Sequence, residues 1–168
     1  MMTEILKHTS PDSPPPPSEG AGVKGCFRLQ ITESGEIVGD SGWHENQITN
    51  LGFNSFLVST LGAIAGSSQV GFIGIGTGGV PAATDTALAN EAVHRAAASA
   101  ATSATSKSVT FTGVFNSTQS FVAGNSNISN IGLFASSAAG TLFAGNVYAS
   151  STCATNQNVN VTYSISFV

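Results

Sequence analysis

The sequence predicts a mainly β protein, an antiparallel β-sandwich or jelly-roll-like domain with one or two short helices and an extended N-terminal arm. Apolar and polar residues alternate along several short segments, and turn-forming residues separate them. Five of the six prolines fall within residues 10–20. The 168 residues are enough for one domain with a core. We therefore divide the chain into an arm, residues 1–22, and a β-sandwich body, residues 23–168.

The arm differs in composition from the body. Its four consecutive prolines cannot enter the interior of a helix or sheet, and they favour extended polyproline II. Its first six residues are mostly apolar, so a semi-stiff arm would carry an apolar tip. We predict that the arm docks on another subunit; the alternative is a plain linker. The predicted partner-contacting residues are Ile5, Leu6, Pro14, Pro15, Pro16 and Pro17.

The body begins with a predicted hairpin. Phe27, Leu29 and Ile31 alternate with polar residues, and residues 33–36 form a turn into a second strand that ends near Trp43. A helix is predicted after Asn50, ending at Gly66. The residues at helical spacing, which we interpret as core packing, are Phe53, Phe56, Leu57, Thr60, Leu61 and Ile64.

The middle of the chain gives weaker signals. Residues 70–76 are typical of a buried strand, and a Gly/Pro/Ala loop follows. Residues 84–98 are predicted to be partly helical, with Thr84 or Asp85 as the cap. Residues 99–106, rich in Ser, Thr and Ala, are interpreted as a linker.

The last third of the chain is strongly strand-like. Val109, Phe111, Gly113 and Phe115 are expected to share one face of a strand, and Ile131, Leu133 and Ala135 one face of another. Residues 136–140 are expected to turn into a strand over 142–148. The terminal strand is the clearest, with buried positions expected at Val159, Val161, Tyr163, Ile165 and Phe167.

Charged residues are scarce and unevenly placed. They make up 8% of the chain, against roughly 25% in typical soluble domains. From residue 96 to the last residue, Lys107 is the single charged side chain. Ser, Thr, Asn, Gly and Ala lose their hydration more cheaply than Lys or Glu, so such a surface suits close packing against neighbours. The alternative is an uncharged polar surface that stays in water.

The same composition argues against several functional classes. A net charge of −4 with five scattered basic residues does not fit nucleic-acid binding. No stretch is apolar enough for a membrane-spanning helix, and we expect neither a membrane partner nor a secretory signal. Cys26 and Cys153 have no metal-binding spacing; they would be able to pair in a secreted protein, but we favour two free thiols.

Motifs for catalysis and cofactor binding are weak. Residues 74–79 (GIGTGG) match G-x-G-x-x-G, but Pro81 follows where a dinucleotide site needs a helix, so we interpret the glycines as turns and close backbone packing. Glu91 and His94 lack further metal ligands at suitable spacing, and we interpret His94 and Arg95 as a solvated or interfacial pair. No nucleophile elbow occurs. We predict no enzymatic activity, no catalytic residues, no cofactor and no metal.

Three segments carry a family resemblance. They are residues 48–54 (ITNLGFN), residues 73–78 (IGIGTG) continuing through 81–91 (PAATDTALANE), and residues 128–134 (ISNIGLF) before a hairpin and a β-branched terminal strand. Their order over roughly residues 46–168 resembles small virion structural proteins of tailed bacteriophages, including capsid-decorating and tail-associated proteins.

The resemblance implies a non-enzymatic virion component. With the arm and the low charge, it favours a capsid cement (decoration) protein that binds across neighbouring major capsid subunits and stabilises the shell. The expected partners are the major capsid protein and copies of the chain itself, as a dimer or trimer. We expect the protein on the capsid surface after synthesis in the host cytoplasm. The alternative is a tail or fibre protein, structural or receptor-binding.

Overall fold

In a computed structural model, two antiparallel sheets pack against each other as a β-sandwich, which confirms the predicted fold class. The structure describes residues 22–58, 62, 68–105 and 107–167. A π-helix spans Gly52–Val58 and a 3-10 helix spans Ser117–Gln119. The strands formed by the described residues are β1 Val23–Glu33, β2 Glu36–Asp40, β3 His44–Glu45, β4 Gln47–Ile48, β5 Phe72–Gly76, β6 Ala96–Ala97, β7 Ser99–Ser103, β8 Ser108–Phe115, β9 Ser126–Phe134, β10 Leu142–Cys153 and β11 Asn158–Phe167.

The two sheets are joined along both sides. The six-stranded sheet has the order β2-β1-β11-β8-β7, with β3 also paired to β1, and the five-stranded sheet has the order β4-β10-β9-β5-β6. The chain passes from the first sheet to the second between β3 and β4, and it returns between β6 and β7. A continuous segment that changes sheets therefore closes each side of the sandwich.

The core follows from the alternation of apolar residues. Val159, Val161, Tyr163 and Ile165 of β11 are all buried, as the sequence predicted, whereas Phe167 is exposed. The predicted hairpin is also confirmed, with β1 and β2 joined by the turn at residues 34–35. Each large side chain buried in this way contributes up to about 1.5–3 kcal/mol of transfer free energy.

The predicted helix is present as a π-helix. Phe56 is buried against Phe143, with ring centroids 5.0 Å apart, but Phe53 is 44% exposed, so its predicted core position was wrong. A π-helix closes its hydrogen bonds at i→i+5, so residues three apart no longer share a face as they do in an α-helix. The other expected core positions, Thr60, Leu61 and Ile64, and the expected end at Gly66 lie outside the described residues.

Two predictions for the middle of the chain were wrong. Residues 84–98 form turns, a bridge between Glu91 and Gly76, and β6, rather than a helix. Asp85 does cap, but it caps a turn: its carboxylate accepts the Ala82 N–H at 2.8 Å. Residues 99–103 form the edge strand β7, paired with β8, rather than a linker. In both places, backbone pairing with a neighbouring strand overrides local propensity.

Candidate assembly surface

The outer face of the five-stranded sheet is covered by the chain itself, through residues 77–95, here called the covering loop. Leu88 of this loop packs with Phe134 and Leu142 in a second, smaller apolar cluster. Asn130, which is fully buried, donates its amide to the Ala89 carbonyl at 3.0 Å. Because buried polar groups need partners, this bond fixes the loop to β9.

Glycines on the strands beneath make room for the covering loop. A Cβ at Gly76 would lie 2.6 Å from the Asn90 carbonyl oxygen, and one at Gly74 would lie 2.7 Å from the Phe134 ring. A Cβ at Gly78 would lie 2.2 Å from the Ala89 carbonyl oxygen. These distances are shorter than real Cβ contacts, so the predicted close backbone packing is confirmed at Gly74 and Gly76. A Cβ at Gly79, the last glycine of the motif, would meet nothing within 4 Å.

A buried ion pair holds the end of the covering loop. The guanidinium of Arg95 pairs with the carboxylate of Glu91, and their side chains are 5% and 17% exposed. The guanidinium carbon lies 3.4 Å from the ring centroid of Phe134, and Nη1 donates to the Ser136 carbonyl at 2.8 Å. The prediction of a solvated or interfacial His94–Arg95 pair was wrong for Arg95, while His94 is exposed. The i,i+4 spacing of Glu91 and Arg95, in a region with almost no other charge, was the signal available in the sequence.

The outer face of the six-stranded sheet is different. Three adjacent strands, β11, β8 and β7, contain no charged residue. Their outward side chains, here called the uncharged face, form cross-strand rows, and Thr110 and Ser164 share a hydrogen bond of 2.9 Å. The members of the uncharged face on β11 and β8 are Asn158, Asn160, Thr162, Ser164, Ser166, Ser108, Thr110, Thr112 and Val114.

Charge on the strands of this sheet is confined to β1, β2 and β3 and is partly neutralised. Arg28 on β1 forms a bidentate ion pair with Asp40 on β2, and its Nε donates to Asp40 Oδ1 at 2.9 Å. The hydrogen bond from Arg28, together with bonds from the Gly42 N–H and the Gln30 amide, holds the pKa of Asp40 well below its usual range. The carboxylate therefore stays ionised and paired at any ordinary pH.

An apolar groove opens where β11 ends and β8 begins. Its volume is about 360 Å³. Side chains from both sheets and from the π-helix line it, and none of its lining residues is charged. Hydrocarbon surface of this kind is stabilised by burial. The lining residues are Phe56, Leu57, Ser68, Gln69, Val70, Val109, Phe111, Phe143, Ile165 and Phe167.

The predicted contact residues of the arm, Ile5, Leu6 and Pro14 to Pro17, lie outside the described residues. The structure nevertheless fixes where the arm joins the body. Val23, the first residue of β1, is paired with Phe167, which lines the groove. Sequence reasoning missed the groove, because its walls come from segments far apart in the chain.

Residues with possible chemical roles are spread apart. Within the described parts of the chain, no three His, Cys, Asp or Glu side chains are grouped to hold a metal ion. Cys26 and Cys153 are free thiols on different sheets, and burial raises the pKa of Cys153 to about 11. His44 is stacked on Phe27, and its Nε2 lies 2.8 Å from the Ser41 carbonyl oxygen. His44 is partly buried, and both contacts hold its ring against β1 and the turn before β3.

Comparison with protein-family models, with curated proteins and with solved structures gives no significant match to this chain. Of the helices in the described residues, none has the length and apolar character required to cross a membrane.

Proposed function

We propose that the protein is a non-enzymatic structural component of a tailed-bacteriophage virion, most specifically a capsid cement protein. In this proposal it binds across neighbouring major capsid protein subunits, and beside other copies of itself, on the capsid surface. The observation that carries the proposal is the uncharged face, which extends over three adjacent strands. The resemblance of residues 46–168 to virion structural proteins supplies the class of partner.

The physical reason lies in the cost of removing water. A Lys or Glu side chain loses strong hydration when a partner covers it, whereas Ser, Thr and Asn lose less and can regain hydrogen bonds across the interface. Interfaces are correspondingly depleted of charged residues at their centres. A modest contact repeated over a closed shell gains avidity, so no single interface needs to be strong.

Placing charge on the uncharged face tests this proposal. Thr162 and Thr112 are cross-strand neighbours, so Thr162→Lys with Thr112→Lys places two ammonium groups at its centre. We expect binding to shells that lack this protein to fall by about tenfold or more, since each buried ammonium must be desolvated. The measurement is co-sedimentation of purified protein with such shells.

Val93→Lys is the control, because Val93 is 79% exposed on the covering loop, on the other sheet. This variant should bind as the wild type does, and all variants should keep the wild-type far-UV circular dichroism. Equal binding by the double variant would contradict the proposal.

Copy number separates cement from the alternative of a tail or fibre protein. A cement protein should be present in purified particles at a number comparable to that of the major capsid protein. A tail protein should be present in a few copies at one vertex. Quantitative mass spectrometry of purified particles against the major capsid protein makes the distinction, and absence from the particles would refute both.

A further inference from the structure

We propose that the apolar groove binds the tip of the arm, residues 1–6, from a second copy of this chain. The inference deepens the proposed function, on which its role in the particle rests, by naming the contact that would connect neighbouring copies. Three features of the chain carry it: the chemistry of the groove, the position at which the arm leaves the body, and the sequence of the arm.

The groove needs an apolar occupant. Phe56, Phe111, Phe143 and Ile165 form its walls, and Phe167 remains 44% exposed beside it. The wall residues are themselves largely buried, but together with Phe167 they enclose an apolar cavity of about 360 Å³, which is typical of a site that buries a few apolar side chains. With no charged residue in the lining, the groove offers nothing to an ionic ligand.

The tip of the arm has matching chemistry. Four of its six residues are apolar: Met1, Met2, Ile5 and Leu6. Leucine and isoleucine supply apolar area, and methionine adapts to irregular cavities because its side chain is unbranched and flexible. Glu4 is the one acidic residue of the tip and would remain at the open side of the groove.

The geometry of attachment favours a second copy over the chain's own groove. Val23 is paired with Phe167, so the arm starts beside the groove of its own subunit. Between the tip and the body, residues 10–20 include the run Pro14 to Pro17. Eleven residues of polyproline II would span about 34 Å. A stiff spacer of that length carries the tip away from its starting point, toward a neighbour.

Exchange of arms would also allow a weak contact between one tip and one groove to hold two copies together. Two copies that each place a tip in the other's groove form a closed pair with two equal contacts. Once the first tip is bound, the second binds at a high effective concentration set by the spacer. If each tip instead passes to the groove of the next copy around a ring, the same contact would connect successive copies on a shell.

Photo-cross-linking of the full chain tests the inference without particles. Leu6→p-benzoylphenylalanine is prepared in both ¹⁴N- and ¹⁵N-labelled chains, which are mixed at high concentration, irradiated and digested. We expect cross-links from position 6 to groove residues such as Val70 and Phe167. Peptides that pair one light and one heavy chain identify contacts between two copies.

A matched pair of variants makes the result specific. Phe167→Asp places a carboxylate at the groove, and we expect the light–heavy cross-links to fall by about tenfold or more. Phe53→Asp is the control, because Phe53 has the same side chain and the same 44% exposure but does not line the groove. It should leave the cross-links unchanged, and both variants should keep the wild-type circular dichroism.

Several results would overturn the inference. Cross-links confined within one chain would show that the arm binds its own subunit. Cross-links that miss the groove, or that survive Phe167→Asp, would show that something else fills it, such as a co-purified apolar molecule or residues from 59–67 of the same chain. Shell binding is a separate measurement, so loss of the cross-links with normal binding to shells would refute only this inference. Normal light–heavy cross-links to the groove in a protein that does not bind shells would refute only the proposed function.

Discussion

The two sheets differ in what covers their outer faces. On the five-stranded sheet, the covering loop buries Phe134 and Leu142 under Leu88, and Arg95 lies over the edge of this cluster. On the six-stranded sheet, the outward side chains of β11 and β8 are mostly small and polar, and all of them are at least partly exposed. The chain itself covers the outer face of the five-stranded sheet, whereas the outer face of β11 and β8 is accessible to water or to a partner.

The contrast extends to the two ion pairs. Arg95 and Glu91 are largely buried, whereas Arg28 and Asp40 have side chains that are 38% and 31% exposed. A buried pair depends on both partners, because removing one leaves an uncompensated charge in a poor solvent. An exposed pair is screened by water and salt. A buried ion pair thus fastens the covered face, whereas charge on the six-stranded sheet lies on β1, β2 and β3 and is absent from β11, β8 and β7.

The largest expected effect concerns the two thiols. Cys26 shares a cross-strand row with Ser164 on the outer face, while Cys153 is 0% exposed in the core and its pKa is raised to about 11. In the native protein we expect iodoacetamide to modify Cys26 faster by on the order of a thousandfold, because Cys153 reacts only after unfolding. Peptide mass spectrometry over time gives both rates.

Denatured protein provides the control for this prediction, because both cysteines should then react at similar rates. Equal rates in the native state would mean that the core around Cys153 opens as readily as the outer face. In the proposed particle-bound state, by contrast, modification of Cys26 should slow down if a partner covers that part of the sheet.

The next effect concerns the ion pair under the covering loop. Arg95→Met removes the charge that compensates Glu91 and the donor to the Ser136 carbonyl. We expect the free energy of unfolding to fall by about 3–5 kcal/mol, as for other buried pairs that lose one partner. Urea denaturation followed by fluorescence measures it.

Arg28→Met is the matched control, since it removes an arginine from the exposed pair on the other sheet. Its urea midpoint should differ much less from that of the wild type. If the two variants were equally destabilised, burial would not be what distinguishes the two faces.

A smaller effect is expected from the apolar part of the cover. Leu88 is 6% exposed and contacts Phe134 and Leu142. Leu88→Ala should destabilise the protein by about 2–3 kcal/mol, because it leaves a cavity between the loop and the sheet. Val93→Ala, at a position that is 79% exposed on the same loop, should change stability by no more than about 0.5 kcal/mol. If Leu88→Ala and Val93→Ala lowered the free energy of unfolding by similar amounts, the packing of Leu88 would not be what stabilises the covering loop.

The open face was predictable from the sequence, and the covered face was not. Strand β11 alternates between apolar and polar residues over its whole length, so its pattern alone indicates one buried and one polar face. In β9, residues 130–134 are buried without alternation, because the covering loop lies on the other side. That loop is set by tertiary hydrogen bonds and by close approach at glycines such as Gly76, neither of which has a local pattern.

The same limit applies to the candidate site. The low charge of β11, β8 and β7 can be counted in the sequence, so the idea of an assembly surface was available before the structure. Strand β7 itself was missed, since its small residues carry no hydrophobic signal and its pairing with β8 decides its conformation. The groove depends on Phe56, Phe143 and Ile165 meeting across both sheets, and only the fold brings them together.

The smallest expected effect is the pH dependence of the exposed ion pair. The pKa of Asp40 is lowered in the folded protein, chiefly by the hydrogen bond from Arg28, from an unfolded value of about 3.9. A lowered pKa means that the unfolded chain binds the proton more tightly in acid, so the contribution of Asp40 is present above about pH 4 and is lost as the pH falls below it. Asp40→Asn should therefore flatten the dependence of the urea midpoint on pH between about pH 5 and pH 2. Glu36→Gln, on the same strand, removes an exposed carboxylate and provides the control for the loss of one charge alone. If Asp40→Asn left the acid slope unchanged, the pair would contribute nothing to the open sheet, and charge would matter to this fold only under the cover.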